Sequence, residues 1–345
     1  MADSDRVCPP DLDFARRIRD DAAASFDVKR RVGKKENALA DLCYVTPTFA
    51  RDINRFALLR KSLALFSPDI PHIAIVHSED FGVFRERFSA DRNLQIIPTS
   101  SVLPRKLEAA RRSLQSWRGY LTQRVAWRSG LVRPASGWKF QQISKLELIT
   151  QIPYDVVVFL DSDLTLCGLM NRADYVANGR LRLLETRATS YEDYAFEISR
   201  QILIGGDLLM AADAFNYIHQ APRFLTRTAK RLKQRLEGTH RDWHRRFIAE
   251  AFPSEYNLLG YCARVLEEYD GYLVETRPPA EWMYDIKVHE DLRERLGLCR
   301  QEFGQRRFIR VQSNLSIPET EYLPVVANMI EEFAALEHAG NDRRR

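Results

Sequence analysis

Two aspartates separated by one residue, Asp161 and Asp163, stand directly after an apolar run in this sequence. The run Val156–Leu160 is short and rich in β-branched residues, which is typical of a buried strand. Open α/β sheets bind ligands at the carboxyl ends of their strands, so both carboxylates are expected at a binding site. Mg²⁺ and Mn²⁺ prefer oxygen ligands and keep positions open for phosphate oxygens. We therefore predict a metal site at Asp161-Ser162-Asp163 that activates a diphosphate leaving group, with Asp163 the principal ligand and Asp161 contacting ribose or metal.

The segments before this motif alternate between strand and helix patterns. An apolar strand is predicted to stop at Thr46-Pro47-Thr48, where a loop opens. Helix and strand patterns then follow in turn, and one amphipathic helix is predicted directly before the strand that carries the aspartates. The alternation predicts an α/β fold with a Rossmann-like, mostly parallel sheet. The predicted strands are Leu42–Val45, His72–His77, Leu94–Ile97 and Asp155–Leu160, and the predicted helices are Ile53–Leu65, Leu107–Trp127 and Trp138–Ile152.

The second half of the chain continues as one elaborated domain without repeats or linkers. A strand-like run at Ile202–Ile204 leads into Gly205-Gly206, whose backbone could approach a ligand closely because glycine has no side chain. Domain boundaries are predicted at 1–40 for a polar lead-in, 41–338 for the folded domain and 339–345 for a basic tail. Further helices are predicted at about 222–237, 241–250, 254–267 and 320–337, and strands at Tyr272–Val274 and Phe308–Gln312.

Composition and charge narrow the function classes. The chain has 345 residues and a formal net charge of +5, and no run approaches the roughly 18 apolar residues of a membrane span. The polar start lacks the apolar core of a signal peptide, so a cytoplasmic protein is expected. Five scattered cysteines indicate buried free thiols.

Four basic clusters are typical of solvated helix faces, and they also fit substrate phosphates or peripheral contact with an anionic surface at the inner membrane face. No nucleic-acid-binding signature accompanies them. The clusters are Arg16–Arg19, Lys29–Lys35, Arg223–Arg235 and Arg343–Arg345.

Three segments together resemble a known family. They are Thr46–Asp52 (TPTFARD), Gly137–Leu146 (GWKFQQISKL) and Val158–Asp163 (VFLDSD). This arrangement is similar to bacterial glycosyltransferase-like proteins grouped among domains of unknown function, whose layout is that of GT-A glycosyltransferases. The resemblance runs from about Leu42 to Gln312. It implies a GT-A-like α/β domain that transfers a sugar, of hexosyl type, from a nucleotide-diphosphate sugar to a glycan or lipid-linked acceptor, with Mn²⁺ or Mg²⁺ as cofactor.

The resemblance also implies roles for individual residues. Glu255 follows the predicted helix N-cap Ser254 and is the carboxylate expected nearest the transferring sugar, as acceptor-orienting group or base. Asp207, beside Gly205-Gly206, is a second candidate catalytic residue. His289 is a candidate third metal ligand. An alternative interpretation of Glu255 is an acidic residue that the helix dipole favours in the first turn. The alternative for Gln142 and Lys145 is the exposed face of an amphipathic helix. The residues expected to bind the donor are Thr46, Thr48, Arg51, Asp80 (or its neighbour Glu79), Trp138, Gln142, Lys145, Asp161, Ser162, Gly206 and Lys287.

Other functions share some of these residues. Asp161-Ser162-Asp163-Leu164-Thr165 matches the D-x-D-x-T signature of haloacid-dehalogenase-type phosphatases, in which the first aspartate is a nucleophile. That motif normally follows the first strand, whereas about 150 residues precede it here. A nucleotidyltransferase would need a glycine-rich loop after the first strand, and Thr46–Asp52 has no glycine. A catalytically silent binding protein on the same fold stays open, as does the choice between inversion and retention.

Overall fold

A computed structural model describes residues 41–115, 136–206, 214–219, 221–276, 283–286, 297, 307–311 and 317–342. The predicted lead-in 1–40 lies outside these residues. The strands are β1 Leu42–Thr48, β2 His72–Val76, β3 Leu94–Pro98, β4 Val156–Phe159, β5 Leu164–Leu166, β6 Val176–Ala177, β7 Arg180–Leu184, β8 Thr186–Arg187, β9 Phe215–Asn216, β10 Arg223–Leu225, β11 Tyr272–Glu275, β12 Met283–Ile286 and β13 Phe308–Val311.

The helices surround the strands and confirm most of the predicted helical segments. They are α1 Ile53–Phe66, α2 Phe81–Arg87, α3 Thr99–Val102, α4 Arg105–Gln115, α5 Gly137–Ile149, α6 Arg172–Tyr175, α7 Tyr191–Ile204, α8 Thr226–Thr239, α9 Trp243–Ala249, α10 Glu255–Tyr261 and α11 Glu319–Asp342, with a 3₁₀ turn at Ala50–Asp52 and a π-helical turn at Cys262–Leu266. The helix predicted at 222–237 begins only at Thr226, because Arg223–Leu225 forms β10. Of the helix predicted at Leu107–Trp127, residues 116–127 lie outside the described residues. Because α11 continues to Asp342, the predicted boundary at residue 338 falls inside a helix.

The central sheet has five strands in the order β10-β4-β1-β2-β3. All of its pairs are parallel except that of β10 with β4, so the predicted mixed, mostly parallel α/β sheet is confirmed. The chain builds β1, β2 and β3 outward in one direction and then returns to place β4 on the other side of β1. The carboxyl ends of β1 and β4 therefore form a topological switch point, where sheets of this kind open a crevice for ligands.

The end of the first strand differs from the prediction. Thr46-Pro47-Thr48 does not stop the strand but extends it, with Pro47 opposite Ile75 and Thr48 opposite Val76 of β2. Pairing of β1 with β4 ends earlier, at Val45 and Phe159. Proline lacks the N–H that a second neighbouring strand would require, and here it stands where β1 pairs on one side only. The rule that proline ends a strand fails here because β1 has already stopped pairing with β4 and pairs only with β2.

Two helices also differ from their predicted character. The helix α5 is buried on nearly every side, including Lys139, Gln142, Lys145 and Glu147, so it is not an amphipathic surface helix. The run Ile202–Ile204, expected to be strand-like, forms the last turn of α7. That helix starts at a capping box of Ser190 and Asp193, which satisfies backbone N–H groups at its first turn.

Several surface expectations are also resolved. The described cysteines, Cys43, Cys167 and Cys262, are buried. Arg223, placed at the head of a basic cluster, is buried in β10 and donates to the Arg182 carbonyl oxygen. Among the described helices, none combines the length and apolar character that crossing a membrane demands.

Candidate active site

A cleft of about 510 Å³ opens at the switch point between β1 and β4. Residues from the loop after β1, including Arg51 and Asp52, line one part of it. Asp161, Ser162 and Asp163, which follow β4, line another. The remaining lining comes from α1, α5, the start of α10 and the segment after β9 (Arg55, Trp138, Gln141, Lys145, Ile218, Ser254, Glu255 and Tyr256). The cleft therefore contains both carboxylates and cations, as a site for a metal and a diphosphate requires.

The aspartate pair sits on a tight loop between β4 and β5. The backbone N–H of Leu164 donates to the Asp161 carbonyl oxygen at 3.1 Å, which closes a turn over the motif. The Asp163 carbonyl accepts from Val311 N at 3.4 Å. The two carboxyl side chains differ in environment, because that of Asp161 is 59% exposed whereas Asp163 is half-buried. The loop thus presents one open and one sheltered carboxylate to the cleft.

Lys145 lies beside this loop within a buried polar cluster. Its Nζ donates to the Tyr256 hydroxyl at 2.6 Å and to Glu255 Oε1 at 3.0 Å, and it lies 3.6 Å from Asp161 Oδ1. The side chains of Lys145 and Glu255 are 7% and 3% exposed, so neither belongs to an exposed helix face. The helix α5 thereby links the start of α10 to the aspartate loop through one ammonium group.

Burial and charge act in opposite directions on the pKa values of this cluster. For Lys145, burial lowers the pKa, but Tyr256, Glu255 and Asp161 more than offset it and hold the pKa well above its ordinary value. For Glu255, burial raises the pKa, Lys145 lowers it, and the net direction is upward. Lys145 is therefore a permanent cation at neutral pH, and Glu255 is a carboxyl group whose proton affinity is increased.

A second polar network joins the loop after β1 to the C-terminal helix. Arg55 Nη1 donates to Asp52 Oδ1 at 2.8 Å, and Arg55 Nε donates to the Tyr322 hydroxyl at 2.7 Å and lies 3.3 Å from Glu319 Oε1. The Ser162 hydroxyl donates to Asp52 Oδ2 at 3.5 Å. Burial raises the pKa of Asp52, and Arg55 partly counteracts that effect. The side chains of Arg55 and Asp52 thus connect α11 to Ser162, the middle residue of the aspartate loop.

The other predicted donor residues lie at varying distances from the cleft. Trp138 and Arg51 line it, and Trp138 is 46% exposed. Thr46 is buried in the sheet, where its Oγ1 lies 2.8 Å from His72 Nε2. Thr48 is also buried and is not among the cleft residues. Gln142 is 1% exposed, and its Oε1 accepts from the backbone N–H of Glu255 at 3.1 Å, so it fixes the start of α10.

The acidic residues after β2 support the fold next to the cleft. Asp80 Oδ2 accepts from Ala50 N at 2.7 Å and thereby holds the loop after β1. Burial would raise the pKa of Glu79, but hydrogen bonds and charge from Arg111 lower it to about 2. Gly206 has φ +87° and lies against the Tyr261 hydroxyl rather than in the cleft. Asp207, Lys287 and His289 lie outside the described residues.

Some cleft residues escaped prediction. Tyr256 contacts Lys145 directly, and Ile218 forms part of the rim, yet neither belongs to a recognisable motif. Arg55 stands three residues after Asp52, and this spacing on a helical turn is a signal that could have paired them. The Ser254 N-cap was predicted and is confirmed, since its Oγ accepts from Asn257 N at 3.2 Å.

Among the described residues, no three His, Cys, Asp or Glu side chains converge closely enough to form a metal-binding group by themselves. Mg²⁺ is commonly held by one or two carboxylates together with substrate phosphates, and the pair Asp161 and Asp163 fits that mode. The ammonium of Lys145 already lies beside Asp161, which leaves Asp163 as the better placed principal ligand. The carboxylates of Asp161 and Asp163 therefore fit a cation that binds together with a diphosphate.

Comparisons with solved structures give two distant likenesses. Mouse xyloside xylosyltransferase 1 matches with a TM-score of 0.39 and 10% identity, over 81% of this chain and all of that one. The bifunctional glycosyltransferase WbbM matches with a TM-score of 0.41 and 13% identity, over 88% of this chain and 52% of that one. Likenesses at this level establish neither a fold family nor an activity. No curated protein matches the sequence. The model of a family of unknown function, DUF6492, matches residues 41–337, and the chain belongs to that family.

Proposed function

We propose that this protein is a metal-dependent glycosyltransferase that takes its sugar from a nucleotide-diphosphate donor. The observation that carries the proposal is the placement of Asp161-Ser162-Asp163 at the switch point of a parallel sheet, in one cleft with Arg51, Arg55 and Lys145. Carboxylates and cations that line the same cleft match a cation–diphosphate pair. The acceptor is proposed to be a glycan or lipid-linked sugar, and the transferred unit a hexose.

Each cleft residue has a chemical task in this proposal. Asp163 would hold Mn²⁺ or Mg²⁺, with Asp161 as its partner or as a contact to the donor ribose. The metal supplies neutralisation of the charge that develops on the departing diphosphate. Arg51 is exposed in the cleft and makes no ion pair with the described residues, so its guanidinium is available to the phosphates. Lys145 holds a fixed positive charge behind Asp161 and orients Glu255.

Glu255 is the candidate for the acceptor side of the reaction. It lines the cleft, and its raised pKa suits a group that takes up a proton from an acceptor hydroxyl. Replacing Glu255 by glutamine is expected to lower kcat by roughly 10²-fold if Glu255 is the general base of an inverting reaction. The measurement is steady-state transfer over a range of pH, with nucleotide binding followed in parallel. Near-normal turnover with unchanged pH dependence would remove this role and favour a retaining reaction without a dedicated base.

The phosphatase alternative is less compatible with the strand order. In the described chain three parallel strands, β1, β2 and β3, precede the aspartate motif, whereas the phosphatase motif follows the first strand of its core. The two proposals also differ in their ligand. A transferase needs a nucleotide diphosphate, and a phosphatase accepts a simple phosphate ester.

Thermal unfolding with a panel of nucleoside diphosphates and nucleotide-sugars, each with and without Mn²⁺, tests the donor site. A ligand at 100 times its Kd adds about 2.7 kcal/mol, which raises Tm by several degrees in a chain of this size. We expect a Mn²⁺-dependent rise for one nucleotide in the wild type, its loss in Asp163→Ala, and its retention in Asp69→Ala, which changes an exposed aspartate away from the cleft. Turnover of a generic phosphate ester without any nucleotide shift would instead establish the phosphatase, and silence in both assays would favour a binding protein.

A further inference from the structure

One strongly basic stretch of this protein lies at residues 226–250. Residues 226–250 contain eight Lys or Arg and three Asp or Glu, so their net formal charge equals the +5 of the entire chain. The remainder of the sequence is therefore close to neutral. This stretch forms α8, α9 and the turn between them. A local excess of positive charge on a protein surface attracts polyanions such as an anionic membrane surface.

The helix α8 separates its charges from its core face. Thr226, Ala229, Leu232 and Leu236 are buried at helical spacing. The exposed cations recur at i, i+3, i+4 and i+8 on the opposite side of the helix. They are Arg227, Lys230, Arg231 and Arg235.

The basic face continues into α9. Arg241, Arg245 and Arg246 are exposed and line one shallow depression together with His240 at the end of α8. Trp243 and Phe247 anchor the other face of α9 in the core. We call the exposed cations of both helices, from Arg227 to Arg246, the basic surface.

Few acidic groups neutralise this surface. Arg227 pairs with Asp270 at 2.7 Å and Arg246 with Glu250 at 3.0 Å. Lys230, Arg231, Arg241 and Arg245 make no ion pair with the residues that the structure describes. Two exposed apolar side chains, Ile198 and Phe252, lie next to the end of α9, where Phe252 N donates to Ser199 Oγ at 3.3 Å. Open cations beside exposed apolar side chains are the combination that an anionic bilayer surface attracts.

The basic surface is also connected to the cleft. Lys139 Nζ donates to the carbonyl oxygens of Ile248 and Glu250, at 2.6 Å each, and so ties the end of α9 to α5. Lys139 follows Trp138, which lines the cleft. The C-terminal end of α9 is therefore attached to α5 one residue away from the cleft wall.

We propose that the basic surface of α8 and α9 docks the protein on a membrane of anionic phospholipids. The attraction is electrostatic, with a contribution from insertion of Phe252 and Ile198 at the headgroup level. It does not depend on the proposed catalytic function. For a lipid-linked acceptor, docking would bring the protein to the membrane surface that carries the acceptor headgroup.

The test is co-sedimentation of the full chain with vesicles of phosphatidylcholine alone or mixed with phosphatidylglycerol. The wild type should bind the mixed vesicles, bind the neutral ones far less, and be released by high salt. Neutralising Lys230, Arg231, Arg241 and Arg245 together as glutamine should weaken binding by roughly 600-fold, at about fivefold per cation. The matched control replaces Arg85, Arg87, Arg105 and Lys106, which are exposed on α2 and α4, and should bind like the wild type.

Three outcomes would overturn the proposal. The wild type could fail to bind the mixed vesicles, or the control variant could lose as much binding as the α8–α9 variant, which would make net charge the cause. Alternatively, heparin or RNA could bind through the same four cations while vesicles do not. Because nucleotide-dependent thermal shifts are measured separately, each of these outcomes leaves the donor site to its own test.

Discussion

Replacing Lys145 by methionine is expected to lower the free energy of unfolding by about 3–5 kcal/mol, because the substitution leaves a buried carboxyl group without its cation. Glu255 is 3% exposed, and its Oε1 lies 3.0 Å from the Lys145 ammonium. Methionine fills similar volume, so lost charge pairing rather than a cavity accounts for the effect. Urea unfolding measures the change, with the m-value reporting whether the transition stays two-state.

The control for this prediction is the double variant Lys145→Met with Glu255→Gln. Removing both charges abolishes the unpaired carboxylate, and replacement of a complete buried pair is often near neutral in stability. The double variant should therefore be more stable than Lys145→Met alone. If the two single effects simply add, Lys145 and Glu255 are not energetically coupled, and the assignment of Lys145 as the partner of Glu255 would be wrong.

Replacing Asp163 by asparagine is expected to reduce kcat/KM for sugar transfer by about 10³-fold, or roughly 4 kcal/mol of transition-state stabilisation. The substitution keeps size and shape but removes the charge of the proposed principal metal ligand. Transfer is measured against Mn²⁺ concentration, because a weakened metal site should also require more Mn²⁺ for half-maximal activity. Asp69→Asn, outside the cleft, provides the matched control.

A particular pattern of results would contradict this role. If Asp163→Asn keeps its activity while Asp161→Asn loses it, the metal is held mainly by the exposed aspartate next to Lys145. Loss of activity with an unchanged Mn²⁺ requirement would place Asp163 in substrate binding instead. In both cases the site stays in the same cleft, and only the division of work between the two carboxylates changes.

The sequence predicted the sheet and the position of the aspartate motif because both depend on local patterns. Val156–Leu160 is apolar at every position, and a buried strand followed by polar residues has few other structures available. The run Ile202–Ile204 shows the limit of this reasoning. Three apolar residues fit a strand or a helix equally well, and here they belong to a helix whose capping box lies nine or more residues earlier, at Ser190 and Asp193.

The contacts within the site depend on how the helices pack together, and the spacing of residues along the sequence does not predict that packing. Lys145 and Glu255 are 110 residues apart and meet because α5 and α10 pack together. Gln142 was expected to face the donor, yet its side chain turns to the backbone of Glu255. When nearly every side of a helix is buried, the sequence does not indicate which neighbour a polar residue on that helix will contact.

The network from Tyr322 through Arg55 to Asp52 has a consequence for the order in which the protein assembles during synthesis. Asn54 and Glu319, which also hydrogen-bond at 3.1 Å, are separated by 265 residues. All five strands of the central sheet, the last of which ends at Leu225, are synthesised well before α11. The strand β13, which pairs with β5 next to the aspartate loop, is synthesised only shortly before α11. Arg55 receives its partners on α11, Tyr322 and Glu319, only after that point. The part of the cleft at Arg55 therefore receives its last partners only after residues 319–322 have been synthesised.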